Sequence, residues 1–123
     1  MERAPRWLHH LFIFHFFANA SFAIPLFIAP TRTMAVFGLV AEPFSARLLA
    51  SAVFGIGLAS LLMRNKSLEQ YRSMLLVKAS WSGTAILGIV FCIIQGSSPV
   101  LFLFLAVFLA FWCTWMYSLA QIR

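Results

Sequence analysis

Apolar positions run along this chain in four blocks of about twenty residues, at 7–27, 44–63, 74–94 and 100–120, with short polar breaks between them. A hydrocarbon core roughly 30 Å thick takes about 20 helical residues to cross, so each block is long enough to span it. The pattern predicts an all-α polytopic membrane protein: an antiparallel bundle of four transmembrane helices forming a single transmembrane domain over residues 1–123. The first break, APTRTMAVFGLVAEP, is too apolar for a loop. It reads as an interfacial turn of helix with Met34, Phe37 and Val40 on one face, ended by Gly38, with Pro43 starting helix two. Pro25 interrupts the backbone ladder near the end of helix one.

Small residues at four-residue spacing give the expected packing faces. They are Ser51, Gly55 and Ala59 on helix two, Ser80, Thr84 and Gly88 on helix three, and Ala106, Ala110, Thr114 and Ser118 on helix four. In lipid there is little hydrophobic drive between helices, so close backbone approach along such faces holds a bundle together. A bulky residue at Gly55 is expected to force helices apart. Helix one is so rich in phenylalanine that only its polar residues mark a buried face.

Composition supports this solvent. A hydrophobic fraction of 63% with 10% charged residues lies far from the soluble average of about 45–50% and about 25%. The net charge of +6 does not indicate nucleic acid, because the cations sit at the ends of apolar blocks and form no contiguous solvated face. They set orientation instead. Arg3, Arg6, Arg64, Lys66, Arg72 and Arg123 flank one side, so both termini are expected in the cytoplasm of a cell whose plasma membrane the chain crosses. Trp7, Tyr71 and Tyr117 fit an interfacial belt on that side. Arg3 and Arg6 before an apolar stretch, with Ala18-Asn19-Ala20, resemble a signal peptide, but the apolar block continues through Phe22, Ile24 and Leu26 and reads as the first span.

Candidate chemistry is sparse. Set to a common depth, His15 lies roughly 12 Å into the core near Lys78, Ser82 and Thr114, with Asn19 one turn deeper. His15 and Asn19 are four residues apart, and so are Lys78 and Ser82, which allows one interior polar layer. These five residues are the candidate ligand-binding set. The bland reading makes His15 and Asn19 interhelical glue and lets Lys78 extend its amine to the headgroups. No catalytic residues are identified, and the spacing of His9, His10 and His15 does not suit a metal or haem, so no cofactor is expected. Cys92 and Cys113 read as inert packing residues. Glu42 and Arg47 are placed to pair near Arg32, although an arginine there more often reaches a lipid phosphate, and Glu69 reads as a loop charge.

The proline-bearing first break, Arg47 opening a helix with Gly55-x-Gly57, and the basic break RNKSLEQYR resemble small four-helix bacterial membrane families of unknown function near the DoxX-like group. That resemblance implies a four-helix bundle and transfers no functional residue.

Two functions compete. One is a non-enzymatic membrane protein acting by association, as a homo-oligomer or as an accessory subunit partnered with another membrane protein, with lipid around it. The other is a transporter or binding protein for a small amphipathic or lipidic molecule held by the polar layer. An enzyme is the least supported class, since no acids, bases or metal ligands converge.

Overall fold

In a computed structural model the described residues are 3–63 and 66–122. Arg64 and Arg123, which contribute to the expected orientation, lie outside them. The protein is all-helical: α1 (Arg6–Ile28), α2 (Pro30–Val36), α3 (Pro43–Leu62), α4 (Leu68–Ile94) and α5 (Leu101–Gln121). Four of these, all but α2, are long and apolar enough to cross a membrane. The helices form two compact units, residues 1–67 and 68–123.

In the first unit α1 and α3 run antiparallel. Phe16 meets Phe54, His15 meets Ser60 and Phe27 meets Arg47, so numbers fall along α3 as they rise along α1. The buried face of α1 is Leu8, Phe12, His15, Asn19, Ala23 and Leu26, and that of α3 is Ala46, Ala50, Val53, Gly57 and Ser60. The α3 face repeats at steps of four and three, the spacing that keeps one stripe against a partner helix. It differs from the expected face: Ser51 and Gly55 are exposed, and a Cβ at Gly55 would meet nothing within 4 Å. Ser51-Gly55-Ala59 is as small as the true stripe, so size alone could not choose between them.

The interfacial helix α2 forms as the first break predicts. Pro30 supplies its first turn, where a missing N–H costs nothing. Gly38 ends it with φ 72°, donating to the Ala35 carbonyl while Leu39 donates to Met34. This pairing is the Schellman arrangement, and it wants glycine because a Cβ disfavours a left-handed backbone. Gly96 (φ 84°) ends α4 in the same way through Cys92 and Ile93. Met34 packs on the cluster of Leu26, Ala46 and Ala50, and Phe37 lies beside Phe22. Val40 does not share that face: it follows the turn and is fully exposed. Glu42 then starts α3, its two carboxylate oxygens accepting from the Phe44 and Ser45 amides at 2.9 and 2.8 Å. Those hydrogen bonds hold its pKa below the ordinary 4.5.

In the second unit Arg72 donates to the Ile122 carbonyl, Lys78 lies over Trp115, and Trp81 meets Phe108, which makes α4 and α5 an antiparallel hairpin. Its α4 begins at Leu68, six residues before the predicted apolar block. A hydropathy run stops at charged residues, whereas the helix continues because Tyr71, Leu75, Lys78 and Ser82 keep one side buried. Glu69 therefore stands in the first helical turn, where the helix dipole favours an anion, and not in a loop. Tyr71 is buried among side chains, while Trp7 and Tyr117 are exposed. Ser80, Thr84, Gly88, Ala106 and Ala110 are exposed, contrary to their expected packing role; Thr114 is half-buried and Ser118 buried. Cys92 and Cys113 are also exposed, on faces that hydrocarbon can cover.

Candidate functional site

The five candidate residues divide between the two units. His15 and Asn19 belong to the first, and Lys78, Ser82 and Thr114 to the second.

His15 is turned into the α1–α3 contact by its place on the buried stripe, and its Nδ1 lies 3.3 Å from Ser60 Oγ. The Ser60 hydroxyl donates its one hydrogen to the Ile56 carbonyl at 3.0 Å. With its hydrogen given to Ile56, the Ser60 oxygen is an acceptor for the Nδ1–H form of the ring. One turn further, Asn19 donates from Nδ2 to the Val53 carbonyl at 3.0 Å. That carbonyl already serves the α3 ladder, and its second lone pair takes the amide. Gly57 makes the approach possible, because a Cβ there would come within 2.9 Å of Asn19 Cβ. The two polar side chains thus bond across the helices.

In the second unit Lys78 is buried, with Nζ 4.9 Å from the centroid of the Trp115 ring. Its amine is packed inside the protein. The indole face attracts the ammonium through the ring quadrupole, and Phe111 stacks along Trp115 with centroids 5.8 Å apart. Ser82 donates to the Lys78 carbonyl at 2.6 Å and Thr114 to the Ala110 carbonyl at 2.7 Å. Both hydroxyls are bound within their own helices, as hydroxyls in lipid must be when no water can serve them. Trp112 brings Nε1 within 3.4 Å of where a Gly83 Cβ would sit. At the hairpin's end Arg72 donates to the Ile122 carbonyl just past α5, which no helical N–H can reach.

Every buried side-chain nitrogen or oxygen among the described residues has a hydrogen-bond partner. Among the same residues no three His, Cys, Asp or Glu side chains gather in a way that could hold a metal ion. Chemically the arrangement pairs donors with acceptors. Sequence reasoning missed Ser60, Gly57, Trp115 and the cap by Arg72. The step of four and three through residues 46, 50, 53, 57 and 60 was the available signal for Gly57 and Ser60. A main-chain acceptor such as the Val53 carbonyl leaves no trace in a sequence. No family model, curated protein or solved structure matches this chain.

Proposed function

We propose that this is a small non-enzymatic integral membrane protein that acts by association, either with copies of itself or as an accessory subunit of a membrane complex. One observation carries it. The small-residue stripes Ser51-Gly55 on α3, Ser80-Thr84-Gly88 on α4 and Ala106-Ala110 on α5 lie exposed, while the helices within each unit pack through other faces. Small residues on a lipid-facing side allow another backbone to come close, the condition for van der Waals association in lipid. The inward polar groups fit a scaffold, since His15 and Asn19 spend hydrogen bonds on Ser60 and the Val53 carbonyl. The setting proposed is the plasma membrane with both termini cytoplasmic, because Arg3, Arg6, Lys66 and Arg72 flank the same helix ends.

Photo-crosslinking residues placed at Gly55, Thr84 and Ala110 test this in native membranes. Cross-links to a second copy, or to one defined membrane protein, are expected from at least one position. Lipid adducts alone at all three positions would overturn the proposal.

A second reading rests on Lys78. A cation buried inside a span is costly and often functional, so a small anionic amphiphile could engage the α4–α5 hairpin there. If so, Lys78→Met removes a co-purifying small molecule while the protein stays folded; if Lys78 is scaffold, the melting temperature alone changes.

A further inference from the structure

The end of the first unit where α1 begins and α3 finishes collects cations. Antiparallel packing brings those two helix ends to the same side. There the backbone of Arg3 pairs antiparallel with that of Ser67 in an isolated bridge. Residues opposed in such a pair have Cα atoms about 4.5–5.5 Å apart, and successive Cα atoms are about 3.8 Å apart. Lys66, next to Ser67, is therefore attached within about 10 Å of Arg3, and Arg6, three residues further along, stands at a similar distance. All three side chains are exposed. Their fields overlap, because the screening length at 0.1 M salt is also about 10 Å.

Local chemistry leaves this charge unbalanced. The dipole of α1 already puts positive charge at its N-terminus, yet the first turn holds no acidic residue and Pro5 supplies no side-chain cap. Over residues 1–10 and 63–67 the sequence has Arg3, Arg6, Arg64 and Lys66 against Glu2 alone, with Arg64 and Glu2 outside the described residues. Glu69, the next carboxylate, stands in the first turn of α4, where that helix's own dipole uses it. Trp7 and Leu62 lie exposed beside the cations, in the first turn of α1 and the last of α3. An exposed tryptophan at the end of a span marks the level of the headgroups, so the cations stand where lipid phosphates lie.

We infer that Arg3, Arg6 and Lys66 form a polybasic surface that binds the anionic headgroups of phospholipids at this end of the first unit. The attraction is a sum over separate charges, and it needs no convergence on one phosphate. The bridge to Ser67 gives the segment before α1 its part in this: it holds Arg3 beside Lys66, so that the two fields add.

The test is native mass spectrometry of the purified full chain in mild detergent, titrated with phosphatidylglycerol or with phosphatidylcholine. The wild-type protein should retain phosphatidylglycerol more tightly, and raising the ionic strength should narrow that preference. Arg3→Gln and Lys66→Gln should each weaken the tightest phosphatidylglycerol binding by about fivefold, and together by about 25-fold. Arg3→Lys keeps the charge and should bind like the wild type. Arg32→Gln, at the far end of α1 and many screening lengths of salt away, should leave that binding within about twofold. Equal retention of the two lipids, a double variant that binds like the wild type, or a loss from Arg3→Lys or Arg32→Gln as large as that from Arg3→Gln would overturn the surface. Displacement of the lipid by inorganic phosphate at comparable concentration would overturn its assignment to lipid.

Discussion

Adding one methyl group at Gly57 should weaken the first unit, while the same change at Gly55 should not. A Cβ at Gly57 would sit 2.9 Å from Asn19 Cβ, and carbon atoms are comfortable at about 3.5–4.0 Å, so α1 and α3 must separate by roughly 0.6–1 Å. The near atom is the root of a side chain and not a flexible tip, so rotation cannot relieve the contact. Overpacking of this kind costs about 1–3 kcal/mol. Separation also strains the Asn19 bond to the Val53 carbonyl, and an interhelical hydrogen bond in lipid contributes about 0.6 kcal/mol. Both substitutions gain the same helix propensity, up to about 1 kcal/mol, which cancels when the variants are compared. Gly57→Ala should then be less stable than Gly55→Ala by about 2–3 kcal/mol, a gap in melting temperature of about 6 °C or more. Thermal denaturation in detergent, followed by circular dichroism, measures it. Equal melting temperatures, or a less stable Gly55→Ala, would refute the assignment of the packing face.

Other outcomes follow from single contacts. Lowering the pH should loosen the start of α3: the Glu42 pKa is depressed, so its stabilisation is present at neutral pH and lost as pH falls through that lowered value. Protection of the Phe44 and Ser45 amides, relative to the intrinsic exchange rate at each pH, should fall there, and Glu42→Gln should show much less pH dependence; protection unchanged by acid would contradict the cap. A double-mutant cycle on Lys78→Met and Trp115→Leu should give a coupling of about 0.5–2 kcal/mol in detergent unfolding, and strict additivity would remove the cation–π contact. Arg72→Gln should increase exchange in the last turn of α5 while leaving its middle protected, and a uniform response would place the arginine's role elsewhere.

The long helices and the α2 elbow were legible because lipid imposes length and because Pro43, Gly38 and Pro30 punctuate the chain by backbone geometry. The first turn of α4 was not, since its charged residues ended the apolar run although Tyr71 and Leu75 kept the helical period. Packing faces were half legible. His15 and Asn19 stood out as polar positions in an apolar helix and do lie on the buried stripe of α1. On α3 two small-residue stripes competed, and the choice fell to the geometry of Asn19 against Gly57, which composition cannot express. Lys78 was legible as an intramembrane cation, but its partner was not, because Trp115 could equally have been an interfacial aromatic.

Counting subunits tests the central claim most directly. Native mass spectrometry of the protein released from nanodiscs into mild detergent should give a defined oligomer, or one copy bound to a defined membrane protein. A strictly monomeric species with no co-purifying protein would contradict association as the function.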